Sequence, residues 1–131
     1  MVIDLGRSLS RISLPLIQRA DLLAMIVAAD TSTVTLSRSV WEFLQHKGVR
    51  RAAMYLIVNR AVGLEGLTKA EAEARIGLPI QAARPYLAES VSLANNQHHP
   101  YASKFPGDAA SIVLQENARQ MLELTTVLQH A

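Results

Sequence analysis

Two stretches, residues 22–29 (LLAMIVAA) and residues 52–58 (AAMYLIV), decide the fold class of this chain. Each is apolar throughout and is close to the length of one strand. A strand with one exposed face alternates apolar and polar residues, whereas a parallel strand covered by helices on both faces is apolar along its whole length. Both stretches therefore predict buried parallel strands.

Two further apolar runs and several amphipathic segments complete an alternating order of elements. We predict strands at Met1–Leu5, Leu22–Ala28, Ala52–Asn59 and Pro79–Ala83. Helical patterns separate and follow them in the order β-α-β-α-β-α-β-α-α, which indicates right-handed crossovers. The sequence thus predicts one α/β domain over residues 1–131, built on a parallel sheet with helices on both faces.

The predicted helices carry start and stop signals. The second can begin at Asp30, Thr31 or Ser32, and the third begins with a capping box from Thr68 and stops at Gly77. Apolar spacing predicts inward stripes on the second and last helices, namely Leu36, Val40, Phe43 and Leu44, and Leu114, Ala118, Met121, Leu122, Thr125 and Leu128.

Composition excludes several classes of function. The net charge is +2, from 13 basic and 11 acidic residues that are scattered along the chain, so a nucleic-acid partner is not expected. The chain has no cysteine, which excludes disulfides and thiolate metal sites and fits a reducing compartment. The longest apolar run is far shorter than the roughly 20 residues of a membrane span, and no signal peptide is visible. We therefore expect a cytoplasmic protein.

Motifs of common catalytic sites are missing from the sequence. None of the six glycines begins a GxxxxGK[ST] phosphate loop, and no GxGxxG or GxSxG is present. The adjacent His98 and His99 have no nearby carboxylate or cysteine, which favours an exposed loop pair over a metal site. The hypothesis that this chain is an enzyme of some other α/β class thus has no set of residues to support it.

Four segments, in order and spacing, resemble the C-terminal half of the MinD/ParA family of deviant Walker ATPases. They are VIDLGRSLS, RADLLAMIVAADTSTVTLSRSVWEFLQ, YLIVNRA and GLPIQAARPYLAESVSLANNQHHP, and together they cover most of the chain. The turn of residues 4–7 (DLGR) is most similar to the CpaE/TadZ branch, which acts in placing or assembling Flp/Tad pili. The resemblance implies a partial P-loop NTPase fold, MinD-like, that lacks the P-loop strand, with Met1 in the middle of the family's domain.

The resemblance also implies roles for individual residues, each with a structural alternative. Asp4 matches the Walker B aspartate, which acts on Mg²⁺ through water, or it caps a turn. Asn59 matches the asparagine that recognises the adenine edge, or it is a turn residue after a strand. Arg60 would lie beside the base or in solvent. Pro85 and Tyr86 match the turn that covers adenine, or they start a helix with a packed aromatic ring.

Two departures from the family pattern bear on activity. Gly6 stands where MinD-type members have proline, and His98 replaces the glycine of the AxNxGxP segment. Because the phosphate cradle is absent, we do not expect this chain to hydrolyse ATP or to bind it strongly. ATP and Mg²⁺ are implied for the full-length family, with protein components of a pilus or polar assembly as partners. The alternative is a standalone interaction module that works without nucleotide.

The predicted first strand, Met1–Leu5, has a consequence for assembly. In the family the P-loop strand lies beside it, so one side would have no neighbour in this chain. Open apolar edges recruit partners, and we expect a homodimer or other self-association through this edge, or else a shifted strand that fills the gap. The C-terminal segment carries a single basic residue besides its histidine, Arg119, and it therefore predicts a packing helix and no membrane anchor.

Overall fold

The computed structural model describes residues 1–7, 9–59, 67–84 and 88–131 of the chain. A short 3₁₀ turn, Arg51–Ala53, precedes the second strand. The strands are β1 (Leu23–Ala28), β2 (Met54–Asn59) and β3 (Ile80–Arg84), and the helices are α1 (Ser13–Arg19), α2 (Thr31–His46), α3 (Lys69–Ile76), α4 (Ala88–Asn96), α5 (Tyr101–Lys104) and α6 (Ala109–His130).

The three strands form a parallel sheet in the order β1-β2-β3, flanked by helices, which confirms the predicted α/β class. Five of the six residues of β2 are buried, as expected for a central strand covered on both faces. The larger core lies on the face covered by α1, α2 and α3, with Ile17, Trp41, Leu44, Leu56 and Ile76 among its members.

The opposite face of the sheet is covered by α6. Tyr55, Ile57 and Ala82 form a smaller cluster there, against which Met121 of α6 packs. The Tyr55 hydroxyl donates a hydrogen bond to Gln120 Oε1 at 2.9 Å. Further along α6, Gln129 donates to Asp21, which lies two residues before the start of β1. The C-terminal half of α6 therefore runs from β2 towards the amino end of β1.

A bulge at Gln81 interrupts the pairing of β2 with β3. Leu56 is opposite Ile80, but Ile57 is opposite Ala82, so Gln81 is the extra residue. Its side-chain Oε1 accepts a hydrogen bond from the Leu56 backbone N–H at 2.7 Å, and its Nε2 donates to the Met54 carbonyl at 3.4 Å. A side-chain amide thus takes the place of a backbone peptide in the ladder.

The predicted helix ends of α2 and α3 are confirmed. Asp30 caps α2 by accepting from the Thr33 backbone N–H. Thr68 and Glu71 make both reciprocal bonds of the capping box at the start of α3. Gly77 ends this helix with a φ of +83°, a left-handed conformation that glycine adopts without the Cβ penalty.

The predicted inward stripe of α2 is half right, because Leu44 is buried and Val40 packs against the larger core, but the other two members are exposed. Leu36, which was expected inside, is 64% exposed, and Phe43 is also exposed. The buried residues are Val34, Ser37, Trp41 and Leu44. Ser37 can be buried because its hydroxyl donates to the Thr33 carbonyl at 2.7 Å, so its polar group is satisfied inside the helix.

On α6 the expected stripe is also partly wrong. Leu122 is 70% exposed and Ala118 is exposed, whereas Leu114 and Met121 pack against the core clusters as predicted. The fully buried positions of α6 are Ala110, Ser111 and Asn117, two of which are polar. The apolar pattern therefore identifies the packed side of this helix only in part.

The predicted first strand is not formed. Residues 1–5 have no regular secondary structure, and a turn follows at Gly6. Met1 and Val2 are fully exposed, and only Leu5 packs against the larger core. An extended segment becomes a strand only when a neighbour satisfies its backbone groups, and none of the described strands pairs with this one. Among the described strands, β1 is thus an outer strand that pairs with β2 alone.

Candidate functional site

The last residues of the three strands lie side by side at one edge of the sheet. Ala28 of β1 is in register with Asn59 of β2, and Asn59 is in register with Arg84 of β3. Open parallel α/β sheets bind their ligands beyond the carboxyl ends of the strands. We therefore take these three residues, called the carboxyl edge below, as the centre of the candidate site.

Asn59 lies at the tip of the central strand. It is exposed, although the five residues before it in β2 are buried. A side-chain amide presents both a donor and an acceptor, which is the chemistry needed to pair with the edge of a nucleotide base. The structure thus places this residue where the resemblance requires it, and its role in adenine recognition stays a prediction.

Arg84 is a second polar residue of the carboxyl edge that the resemblance does not include. Its Nε atom is buried and has no hydrogen-bond partner among the described residues. Burial raises the pKa of Tyr55 and Glu116 raises it further, while the nearby charge of Arg84 opposes both effects. A guanidinium beside the Asn59 amide suits a ligand with hydrogen-bond acceptors. The signal in the sequence is a single charge that closes an apolar run.

Asp30, close to the tip of β1, has a structural role. Its Oδ1 accepts from the Thr33 backbone N–H at 2.8 Å and its Oδ2 from the Thr33 hydroxyl at 2.7 Å. These bonds from Thr33 lower the pKa of Asp30. Because both oxygens are engaged, this carboxylate is the cap of α2 and is not a free acid of the site.

Asp4, the predicted Walker B residue, lies in an exposed turn. Its Oδ1 accepts from the Gly6 backbone N–H at 2.9 Å, and Gly6 has a φ of +63°. This is the turn cap that the sequence analysis gave as the alternative. Proline, which MinD-type members have at this position, cannot adopt a positive φ. The family's role for Asp4 towards Mg²⁺ stays a prediction.

Three of the site residues implied by the resemblance, Arg60, Pro85 and Tyr86, lie outside the described residues.

His98 has the backbone conformation of a glycine. Its φ is +55°, and it is the one non-glycine residue with positive φ among those described. It follows the end of α4, where the His98 and His99 N–H groups donate to the carbonyls of Asn95 and Ala94. The glycine of the family segment would be favoured here. The chain thus has a histidine in a conformation that favours glycine.

Two shallow grooves lie away from the carboxyl edge. One, of about 380 Å³, lies between Tyr55, Gln81 and the C-terminal half of α6. The other, of about 460 Å³, is lined by Arg51, Gly77 and neighbouring residues. Both are near the starts of strands, so neither coincides with the candidate site.

Two other features, a metal-binding cluster and a membrane-spanning helix, are absent from the described residues. No group of three or more histidine, cysteine, aspartate or glutamate side chains is arranged to hold a metal ion within the described ranges. No helix among the described residues combines the length and the apolar character needed to cross a membrane.

Comparison with solved structures gives one informative match. The crystal structure of a ParA family ATPase from Chlorobium tepidum superposes with a TM-score of 0.73 over 82% of this chain, at 17% sequence identity. The fold is similar to that of ParA ATPases. The matched region is 44% of that ATPase, so this chain spans less than half of its length. No family model and no curated protein matches the sequence.

Proposed function

We propose that this chain is the base-recognition portion of a ParA/MinD-like ATPase, corresponding to the C-terminal part of its domain. The proposal depends mainly on one observation: a sheet with the fold of a ParA ATPase has Asn59 exposed at the tip of its central strand, beside Arg84. An amide and a guanidinium at the carboxyl edge can bind the acceptor atoms of a base.

We further propose that the whole protein is of the CpaE/TadZ kind and acts in the cytoplasm to position or assemble a surface structure such as Flp/Tad pili. The sequence of the turn at residues 4–7 supports this branch, and the glycine in this turn has the positive φ that proline lacks. Its partners would be protein components of the assembly.

Hydrolysis of ATP is not proposed for this chain on its own. Phosphoryl transfer depends on amides and a lysine that surround the phosphates and stabilise their charge, and the sequence contains no such loop. ATP and Mg²⁺ would be bound by the whole protein, with Asp4 acting on the ion through water. This chain therefore offers hydrogen-bonding groups to the base of ATP but no phosphate loop to its triphosphate.

Nucleotide titration of the nitrogen-15-labelled chain tests the proposal. We expect adenosine to shift the Asn59 side-chain amide resonances with weak, roughly millimolar affinity. ATP should bind within about threefold of adenosine, because its phosphates gain little. Asn59→Leu should abolish the shifts of neighbouring backbone amides.

Gln45→Leu is the matched control, because Gln45 is an exposed amide at the opposite end of α2 from the carboxyl edge. This variant should bind adenosine as the unmodified chain does. Absence of any shift with adenosine would remove base recognition from the proposal. Micromolar binding of ATP would show that a phosphate site exists without the sequence of a P-loop.

A standalone interaction module is the second candidate. The observation that favours it is that residues 1–5 form no strand and that Asp4 binds its own turn. Under this hypothesis adenosine has no effect, while a fluorescent fusion of the chain still concentrates at one site in the cell. A diffuse distribution of the fusion, or a localisation that is lost in Asn59→Leu, would contradict this hypothesis.

A further inference from the structure

A groove of about 460 Å³ lies at the end of the sheet opposite to the carboxyl edge. Its walls come from the 3₁₀ turn before β2, from α3 and from the residues that lead into β3. Among the described residues, neither β1 nor the segment before it lines this groove. A partner can therefore contact the groove without touching Asn59, which lies at the other end of β2.

One wall of the groove is built from small apolar residues. Ala70 and Ala74 are exposed on α3, and Pro79 is exposed just before β3. Gly77 adds no side chain to this wall, and a Cβ placed there would meet no atom within 4 Å. An apolar wall combined with a few polar groups is typical of a binding groove.

A guanidinium lines the same groove and is held in place while most of its donors stay available. Arg51 Nη1 donates to the Gly77 carbonyl at 2.8 Å, which fixes the side chain across the end of α3. This is the one hydrogen bond that the exposed Arg51 side chain makes to the described residues. A guanidinium carries several N–H donors in a planar fork that matches a carboxylate. The fixed Arg51 therefore suits a carboxylate ligand.

Two more cations extend the positive charge beyond the groove. Arg50 directly precedes Arg51 at the start of the 3₁₀ turn, and Lys47 is the C-cap of α2. All three are exposed. The ion pairs among the described residues belong to other cations, namely Arg38, Lys69 and Arg119. Exposed cations without a paired carboxylate attract a negatively charged partner.

The carboxylate that lines the groove does not cancel this charge. Glu73 Oε1 accepts from the Ile80 N–H at 2.8 Å and lies 3.9 Å from the Lys69 ammonium. Its negative charge is thus engaged within the protein, at the start of β3. The groove therefore keeps the positive charge of Arg51 next to an apolar wall.

We propose that this groove binds an acidic segment of a partner protein, with a carboxylate on Arg51 and a small apolar side chain against Ala74 and Pro79. The inference rests on the part of the proposed function that gives this chain protein partners, and it names the surface and the chemistry of one of them. An acidic polypeptide is favoured over a nucleic acid, because a phosphate backbone has no apolar side chain to place against the apolar wall.

Fluorescence anisotropy of a labelled peptide gives the first test. The probe is a short peptide of alternating glutamate and alanine, and the same peptide with lysine in place of glutamate is its control. We expect the acidic peptide to bind with a dissociation constant of roughly 10–100 μM and to bind less tightly as salt is raised. The basic peptide should not bind.

Replacement of Arg51 tests the proposed carboxylate contact. Arg51→Gln should weaken binding of the acidic peptide by at least about tenfold, because a charged hydrogen-bonding partner is lost. Arg11→Gln is the matched control, since it removes the same charge from an exposed arginine outside the groove. This variant should bind the peptide as the unmodified chain does.

A second pair of variants keeps the Arg51–Gly77 hydrogen bond in place. Ala74→Glu puts a carboxylate into the groove, and Ala74→Gln adds similar bulk without the charge. We expect Ala74→Glu to weaken peptide binding several-fold more than Ala74→Gln. Trp41 fluorescence confirms that each variant is folded, because this single tryptophan is buried in the core.

Failure of this inference is distinguishable from failure of base recognition. Asn59→Leu should leave peptide binding unchanged, and Arg51→Gln should leave the adenosine shifts unchanged. The inference is overturned if the acidic peptide does not bind or binds no better than the basic one. Equal losses within either pair of variants would also overturn it. So would tighter binding of duplex DNA, or of anionic phospholipid vesicles, than of the acidic peptide.

Discussion

Replacing Gln81 by leucine tests whether a side chain completes the hydrogen bonding of the sheet at the bulge. In the structure, the Leu56 N–H has the Gln81 Oε1 as acceptor at 2.7 Å. Leu56 itself has no exposed surface, so water does not replace this acceptor readily. Leucine is one atom shorter and has no acceptor, so the Leu56 N–H would be left without a partner.

The expected loss follows from the type of group that is left unpaired. A buried donor without an acceptor costs about 1–3 kcal/mol, whereas the bond from Gln81 Nε2 to the Met54 carbonyl is 3.4 Å long and adds little. The side chain of Gln81 is exposed, so leucine gains little apolar burial. We expect the free energy of unfolding to fall by about 2 kcal/mol, which lowers the melting temperature by roughly 8 °C for a chain of this size.

Urea unfolding followed by Trp41 fluorescence measures this change, with Gln115→Leu as the matched control. Gln115 is an exposed glutamine on α6, and its replacement should change the free energy of unfolding by less than about 0.5 kcal/mol. The reasoning is refuted if Gln81→Leu is as stable as the unmodified chain, because Leu56 would then have found another acceptor.

Two further predictions concern the turn after α4 and the cap of α2. His98→Gly should raise the free energy of unfolding by about 0.5–1 kcal/mol, because glycine has no Cβ penalty at a φ of +55°; an unchanged urea midpoint would contradict this. Because its bonds from Thr33 lower the pKa of Asp30 below 3.8, its contribution to stability is complete above that pH and is lost as the pH falls through the folded pKa. Asp30→Asn should therefore reduce the acid dependence of the urea midpoint below about pH 4, and identical profiles would show that the cap carries no charge effect.

The features that sequence reasoning predicted well are those whose signal is local. The capping box at Thr68 and the glycine stop at Gly77 depend on residues within one turn of each other, and the structure has both. The apolar runs of β1 and β2 indicate burial on both faces directly, so the parallel α/β class was also predictable. Contacts between distant segments did not have to be known.

The buried side of α2 was not predictable from apolar residues alone. Val34, Ser37, Trp41 and Leu44 repeat at intervals of three, four and three, which is a regular helical stripe. The serine disguises it, because a hydroxyl counts as polar in the sequence although it is satisfied by the carbonyl of Thr33. The competing pattern through Leu36 and Phe43 has more apolar residues but lies on the exposed side.

The carboxyl edge was predicted only in part, because one of its residues has a local signal and the alignment of the other depends on strand pairing. Asn59 ends a strand that is recognisable by itself, and its position at the tip follows from the parallel order. The alignment with Arg84 depends on the register of β3, which the bulge at Gln81 shifts by one residue. No local pattern indicates a bulge whose stabilising contact is with a strand 25 residues earlier in the chain. The rule that ligands bind beyond the carboxyl ends of parallel strands already indicates residues 84–86 from the sequence, but the alignment of Arg84 with Asn59 is known only from the pairing.

Residues 1–5 and β1 show why apolar composition and strand formation are separate questions. Both segments are mostly apolar, but β1 has β2 beside it and residues 1–5 have no paired neighbour among the described strands. Hydrophobic burial favours an extended segment only after its backbone groups find partners, since each unpaired buried group costs about 1–3 kcal/mol.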